Sequence, residues 1–237
     1  MSSLFINNIV MRKILFFILL ISNITIGFAA RNVKTIHVIP DNAVIYLNGN
    51  EVGNGIYTIK FGRNDDFVML KFEAAGYLTR NVKLMKDNPK ETISYKLIED
   101  EAQKNSVGSG SGEIDMANKW MTITCKKGMT EAQVWRRIMG VVVDNFETVE
   151  VRDKDAGWIK TAWTTKSFDS GQSIRTRLEV RIVVAGDEED LQYKVRVSSE
   201  IKDSECTGES CFVKYNRVLR DYYDVIVDLQ NSLGANN

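Results

Sequence analysis

Two stretches in the C-terminal half of the chain alternate between apolar and polar residues. Successive side chains of a β-strand point to opposite faces, so the alternation predicts two long strands, at 173–184 and 191–201, each with one apolar side. The acidic segment 186–190 between them predicts a solvated hairpin tip. It lacks the pattern of a calcium loop, so calcium binding is not expected there. The apolar sides are formed by Ile174, Thr176, Leu178, Val180, Ile182 and Val184, and by Leu191, Tyr193, Val195, Val197 and Ile201.

Two other stretches repeat apolar residues at helical spacing. Thr130 with Gln133 three residues later is typical of a capping box, and the apolar stripe that follows predicts a helix over 131–145. A second stripe predicts a helix over 212–230. Together with shorter predicted strands, this order indicates an α+β, helix-grip domain, in which two helices cover one face of an antiparallel sheet. The shorter strands are predicted at 120–125, 148–152 and 158–165.

Part of this region resembles a known family. Trp135 on the first helix, the turn Asp155-Ala156-Gly157 and the strand from Trp158 to Trp163 resemble the helix-grip domains of the lipoprotein C subunit of the β-barrel assembly machinery. The resemblance implies a helix-grip fold and a location in the cell envelope. The chain lacks that family's lipobox cysteine, so no lipid anchor and no partner are carried over.

The N-terminal half is a series of short apolar runs separated by turn residues. Asn48-Gly49 is a hairpin-type turn, because both residues accept positive φ. Turns every eight to twelve residues predict a small all-β sandwich. Its strands are predicted at 35–39, 43–47, 56–61, 67–72, 81–84 and 92–97.

Residues 38–84 of this half contain a spaced set of turn residues: Pro40, Ala43, Asn48-Gly49, Gly53, Gly62 and Gly76-Tyr77. With this spacing the segment resembles a PEGA-type surface-layer domain. The resemblance implies a β-sandwich used outside the cytoplasm as a binding or spacer module attached to other domains, and it does not imply catalysis.

The chain is expected to divide into four parts. Residues 1–30 are predicted to be a signal peptide, 31–98 the PEGA-like sandwich, 99–118 a flexible linker and 119–232 the helix-grip domain. The linker prediction depends on the charged run at its start and on alternating glycine and serine from Gly108 to Gly112.

The segment 12–30 predicts export. Arg12-Lys13 precedes the apolar run 14–21, and small residues ending in Ala29-Ala30 close the segment, as in a cleavable signal peptide. The apolar run is short for a membrane span, so we expect no stable span after cleavage, although an uncleaved anchor is an alternative. Translation could also start at Met11. The expected location is the periplasm or the cell surface.

Export changes how the three cysteines are interpreted. Outside the cytoplasm, the close pair Cys206 and Cys211 is expected to form a disulfide. Closing so short a loop stabilises by roughly 2 kcal/mol. The alternative is a redox or metal site formed with neighbouring acidic residues. Cys125 is expected to be buried at a strand end, with exchange into the disulfide as the alternative.

Composition narrows the function classes. The chain has 237 residues with 31 basic and 31 acidic side chains, so its charge gives no reason to expect a nucleic-acid partner. His37 is its single histidine and is expected to pack on a strand or face solvent. A chain with one histidine has few residues from which a histidine-based metal site or a catalytic triad could form. No pair of carboxylates is spaced to indicate a hydrolase. We therefore expect no enzyme, no metal and no cofactor.

The polar side of the two long strands carries the candidate binding residues. Its basic residues are interspersed with Glu179 and Glu200, and cross-strand ion pairing on a solvated face explains most of the pattern. An anionic partner, such as a polysaccharide or a lipid headgroup, is the alternative. Basic residues on this side are Arg175, Arg177, Arg181, Lys194, Arg196 and Lys202, and the candidate ligand-binding set is Arg175, Arg177, Lys194, Arg196 and Trp158.

The tryptophans are expected mainly to pack in the core, with one member of the set available for surface recognition of a sugar. Trp158 and Trp163 are an odd number of residues apart, so in a regular strand they lie on opposite faces.

Two functions are expected on these grounds. The leading one is an exported, non-enzymatic binding or scaffold protein of the bacterial cell envelope, with an envelope protein or glycan as partner. The alternative is a periplasmic carrier that holds a small apolar ligand between sheet and helices. Such a cavity would be lined by Leu178, Val180, Tyr215 and Tyr222.

Overall fold

The computed structural model describes residues 32–108, 117–184 and 191–234. It divides the chain into a first unit, Met1–Glu99, and a second unit, Asp100–Asn237. The expected signal peptide, most of the glycine-serine stretch and the acidic hairpin tip lie outside the described residues.

The first unit contains seven strands in two sheets. One sheet has the order β4-β1-β7 and the other β3-β2-β5-β6. β1 and β7 run parallel, and the other pairs are antiparallel. The strands are β1 (Val33–Ile39), β2 (Val44–Leu47), β3 (Asn50–Asn54), β4 (Ile56–Lys60), β5 (Phe67–Glu73), β6 (Arg80–Met85) and β7 (Thr92–Lys96).

Both sheets of this unit contribute to one hydrophobic core. Ile36 of β1 and Ile45 of β2 have no exposed surface and belong to the same cluster as Phe72 of β5. Asn48 and Gly49 connect β2 to β3 with φ of 50° and 88°, so the predicted hairpin turn is present.

The described part of the second unit contains three α-helices, a short 3-10 helix at Glu209–Cys211 and nine strands, seven of which form one antiparallel sheet. The sheet has the order β10-β11-β13-β14-β15, with β12 also paired to β13 and β9 to β14. β8 and β16 form a separate antiparallel pair. The elements are α1 (Glu101–Lys104), β8 (Ser106–Gly108), β9 (Met121–Thr124), α2 (Glu131–Asn145), β10 (Val149–Asp153), β11 (Trp158–Thr161), β12 (Thr164–Ser167), β13 (Ser173–Val184), β14 (Gln192–Lys202), β15 (Val213–Lys214), β16 (Arg217–Leu219) and α3 (Arg220–Leu233).

The apolar side of β13 and β14, here called the inner face, packs with α2 and α3. Leu178 and Val195 lie in one cluster with Ile138 of α2 and Ile226 of α3, and all four side chains are fully buried. α2 begins as predicted, because Thr130 and Gln133 make both hydrogen bonds of a capping box. The chain as described is therefore an α+β protein composed mostly of antiparallel sheets.

The start of the expected linker differs from the prediction. Residues 101–108 form α1 and β8 instead of flexible chain. Asp100 caps α1 by accepting a hydrogen bond from the Gln103 backbone, and Ala102 is buried in a small cluster with Leu219. The segment is therefore held by its own cap and by burial, ahead of the glycine-serine stretch.

The last helix also differs from the prediction, which placed its start at residue 212. α3 begins at Arg220, and the preceding residues form β15 and β16. β16 pairs with β8, a contact across more than a hundred residues, and helical spacing alone does not reveal such a partner.

Candidate functional site

The polar side of β13 and β14 carries the candidate site and is here called the outer face. Odd positions of β13 point to this side, and strand pairing sets them opposite even positions of β14. Arg175 faces Glu200, and Glu179 faces Arg196, so opposite charges meet across the two strands. The central outer-face positions are Arg175, Arg177, Glu179 and Arg181 in β13, and Lys194, Arg196, Ser198 and Glu200 in β14, and the pair Ser173 and Lys202 follows at one end.

Glu179 is the centre of one charged cluster. Its carboxylate pairs with Arg181 at 2.5 Å and with Arg196 at 2.6 Å, and the Trp158 indole Nε1–H donates to it at 3.2 Å. The Glu179 side chain is only 3% exposed because these groups cover it. Burial raises the pKa of Glu179. The hydrogen bonds from the two arginines and their positive charges together lower it by more than burial raises it, so the pKa of Glu179 lies below its usual value.

Arg175 is the centre of a second cluster. It pairs with Glu200 at 2.6 Å and also with Glu209, and its guanidinium lies 4.5 Å from the centre of the Trp163 ring and 4.2 Å from that of Phe212. Glu209 belongs to the loop closed by the predicted disulfide, which is present between Cys206 and Cys211. Two carboxylates and two rings therefore surround a single arginine.

Arg177 differs from its neighbours on the same strand. Its guanidinium lies 4.3 Å from the centre of the Trp163 ring, yet no carboxylate of the described residues forms an ion pair with it. Its Nε–H is covered and has no hydrogen-bond partner in the part of the chain that the structure describes. Glu150 interacts with Arg177 only through charge. The pKa of Glu150 is lowered mainly by the hydrogen bond from Lys160, and the charge of Arg177 lowers it by a smaller amount.

Trp158 and Trp163 lie on the same face, so the expectation that they lie on opposite faces was wrong. Strand pairing gives the reason. Lys160 pairs with Glu179, but Thr164 pairs with Thr176, so the strand carries one more residue than β13 between these two pairs. One inserted residue shifts the alternation by one position, which brings both rings to the outer face.

Of the four tryptophans, only Trp135 lies in the hydrophobic core, at 8% exposure. Trp120 precedes β9 and is 37% exposed, and its ring lies 4.4 Å from the Arg196 guanidinium and 5.7 Å from that of Arg181. The expectation that the set mainly packs in the core therefore needs correction, because three of its members join the outer face.

The structure brings together most of the predicted ligand-binding set. Arg175, Arg177, Arg196 and Trp158 lie on the outer face in contact with rings or carboxylates. Lys194 lies on the same face, exposed and without an ion pair among the described residues. Sequence reasoning missed Trp120, Trp163, Phe212 and Glu209 as parts of this surface, since these residues flank the long strands and only folding places them.

The residues expected to line a ligand cavity between sheet and helices are packed against other side chains. Leu178 and Val180, two residues expected to line a ligand cavity, are 0% and 1% exposed. A side chain without accessible surface borders no space large enough for a water molecule. Tyr222 stacks on Phe146 with ring centres 5.1 Å apart, and the Tyr215 hydroxyl lies 3.2 Å from the Ser106 hydroxyl. The residues named for the cavity therefore pack against other side chains.

Cys125 is buried at the end of β9, as predicted, and is not bonded to another cysteine. Burial raises its pKa to about 11. His37 lies on β1, with its ring nitrogen 3.3 Å from an Asp41 carboxylate oxygen. Within the described ranges, no group of three or more His, Cys, Asp or Glu side chains is placed to hold a metal ion.

The first unit has two open depressions on its surface. One, of about 550 Å³, is lined by Asn32, Asp66, Met85, Lys86 and Asp87. The other, of about 490 Å³, is lined by Ile39, Tyr77, Lys96, Leu97, Ile98 and Glu99. Both combine exposed apolar atoms with charged groups, and neither includes a residue of the predicted ligand-binding set.

Comparison with known proteins adds little to this geometry. No protein-family model and no curated protein matches the chain. A solved structure of a Bacteroides fragilis NCTC 9343 protein of unknown function, thought to associate with a membrane, matches with a TM-score of 0.25 at 10% identity. The match covers 71% of this chain and 96% of that one, and at this TM-score it carries no argument. None of the helices in the described ranges is long and apolar enough to cross a membrane.

Proposed function

We propose that the chain is an exported, non-enzymatic binding or scaffold protein of the bacterial cell envelope, and that it binds its partner through the outer face. The observation that carries this proposal is the series of guanidinium groups interleaved with indole rings on β11, β13, β14 and the segments beside them. Arginine and tryptophan are the residues that most often dominate binding energy at protein interfaces. The partner is an envelope protein or glycan.

Export is supported by two features of the chain. The segment 12–30 has the charged start, apolar run and small-residue end of a signal peptide. The disulfide between Cys206 and Cys211 fits an oxidising compartment, the periplasm or the cell surface. Recovery of the chain from the periplasm with an N-terminus near residue 30 tests this part, and recovery only in the cytoplasm with an intact N-terminus contradicts it.

The two units fit the fold types that the sequence indicates. Two sheets around one core support a PEGA-type sandwich in the first unit. Two helices packed with one face of a sheet support a helix-grip domain in the second. A carrier function has no comparable support, because Leu178 and Val180, which would line its cavity, are buried in the hydrophobic core.

The binding proposal is tested by capture from envelope fractions. The purified protein is immobilised in three forms: unchanged, with Arg177→Gln and Lys194→Gln, and with Arg136→Gln and Lys127→Gln. Both doubly substituted forms lose the same charge, but Arg136 and Lys127 lie outside the outer face. We expect the unchanged and control forms to retain an envelope component that the outer-face variant releases. Equal retention by all three forms contradicts the proposal.

A further inference from the structure

Among the described residues, the outer face contains one arginine that lacks the carboxylate partner its neighbours have. Arg175 is paired with Glu200 and Glu209, while Arg181 and Arg196 share Glu179. These internal pairs show that the surface holds carboxylates against guanidinium groups beside aromatic rings. Arg177 has the ring but not the carboxylate.

The surroundings of Arg177 prepare it for an external carboxylate. Trp163 lies against both Arg175 and Arg177, with ring-to-guanidinium distances of 4.5 Å and 4.3 Å. This contact restricts the planar guanidinium, so less side-chain freedom is lost when a ligand binds. Ser198, a small residue, faces Arg177 across the strand pair, so no acidic side chain of β14 fills that position. Because Nε is covered, the two Nη groups supply the donors.

A second cation that forms no ion pair with any described residue lies on the same face. Lys194 lies opposite Arg181, which is four residues from Arg177 along β13. Lys194 is therefore about 13 Å from Arg177 in the direction of the strands. A single small anion cannot reach both groups. A polymer with repeated negative charges can, and binding at two sites raises its overall affinity.

The aromatic groups on this face favour a sugar polymer over a lipid surface. Peripheral insertion into a bilayer needs a continuous apolar surface. The outer-face positions from Arg175 to Arg181 in β13 and from Lys194 to Glu200 in β14 are all charged or polar, and the exposed Val183 lies beyond them near the end of β13. The tryptophan rings lie against guanidinium groups and do not form such a surface. Flat rings beside unpaired cations suit sugar rings that carry carboxylates.

We propose, building on the binding function above, that the outer face binds an acidic polysaccharide whose sugar units carry carboxylates. Arg177 takes one carboxylate, Lys194 takes another farther along the polymer, and sugar rings pack beside Trp163 and Trp120. Glu179, Glu200 and Glu209 keep the other arginines in place.

Titration calorimetry with two polyuronates, polygalacturonate and alginate, tests this proposal on the purified protein. We expect at least one to bind the unchanged protein, Arg177→Gln to weaken binding about tenfold, and Lys194→Gln to weaken it less. Arg136→Gln on α2 is the control, since it removes the same charge from an exposed position on a helix, and it should bind like the unchanged protein. Binding should also be lost with carboxyl-reduced polymer, and the galacturonate monomer should bind far more weakly.

Three outcomes would overturn the proposal: no binding of either polyuronate, equal weakening by Arg177→Gln and Arg136→Gln, or stronger binding to phosphatidylglycerol vesicles that Arg177→Gln abolishes. If polyuronates fail while capture from envelope fractions still depends on Arg177 and Lys194, the binding function stands and only the ligand class is wrong. If that capture is also insensitive to both residues, the binding function fails as well. Unchanged thermal unfolding of each variant shows that the fold is intact.

Discussion

The two faces of β13 carry opposite kinds of interaction on one strand. On the inner face, Leu178 and Val180 are buried under the helices. On the outer face, Arg177 and Glu179 are covered only by neighbouring side chains of the sheet and its flanking segments. Stability is therefore expected to depend mainly on the inner face, which leaves the outer face free to vary its charges and rings.

The sharpest test of this contrast substitutes two adjacent residues. Leu178→Ala removes a fully buried side chain and should lower the free energy of unfolding by about 3 kcal/mol. Arg177→Ala removes a contact with one ring and should cost less than about 1 kcal/mol. Urea unfolding of both variants measures the difference. Similar losses would mean that the outer face contributes to folding as much as the core does.

Glu179 is an exception to the difference between the two faces, because it is an outer-face residue whose side chain is almost fully buried. Its net pKa is lowered in the folded protein, so its carboxylate stabilises the fold above its ordinary pKa, and this contribution is lost as the pH falls through the folded-state pKa. Glu179→Gln should therefore cost about 2 kcal/mol at pH 7.

The pH dependence distinguishes this effect from simple loss of packing. Unfolding curves of Glu179→Gln and the unchanged protein should converge as the pH falls through the lowered folded-state pKa of Glu179, because the unchanged carboxylate is then protonated too. Glu150→Gln is a suitable control, because Glu150 pairs with Lys160 at 2.7 Å but is far more exposed, and its effect should be much smaller. A loss that is the same at every pH would assign Glu179 a packing role only.

The smallest expected effect concerns Cys125 at the edge of the inner core. Burial raises the pKa of this thiol to about 11, so little thiolate is present at pH 8. A thiol-specific disulfide reagent should modify Cys125 slowly in the native protein and rapidly in denaturant, without any thiol from the bonded pair Cys206 and Cys211. Fast modification of the native protein would show that the inner face opens readily.

Local patterns were enough to predict the elements on both sides of the contrast. The alternation at 173–184 and 191–201 gave β13 and β14 almost to the residue, and Thr130 with Gln133 located the start of α2. These features depend on neighbours a few residues apart, so the sequence displays them directly. Residues 101–108 were misjudged because the strand in this segment exists only through pairing with β16, far along the chain.

In the candidate site, too, the features set by local sequence were predictable and those set by strand pairing were not. Alternation placed Arg175, Arg177, Lys194 and Arg196 together on one face, and the structure has them there. The extra residue between Lys160 and Thr164 was not predictable, because the local sequence contains no glycine or proline that would indicate an irregular strand. The position of Trp158 and Trp163 on the same face therefore became visible only from the register in which the strands pair.

The pairing of β8 with β16 has a practical consequence for dividing the chain. Arg217 in β16 donates to the Ser106 side chain at 2.9 Å and to its carbonyl oxygen at 2.7 Å, and Leu219 packs with Ala102. A protease that cuts within 109–116 would therefore leave two fragments associated without a covalent bond. A truncated form that starts at residue 119 would lack a β-strand of its own unit, whereas one that starts at Asp100 would retain it.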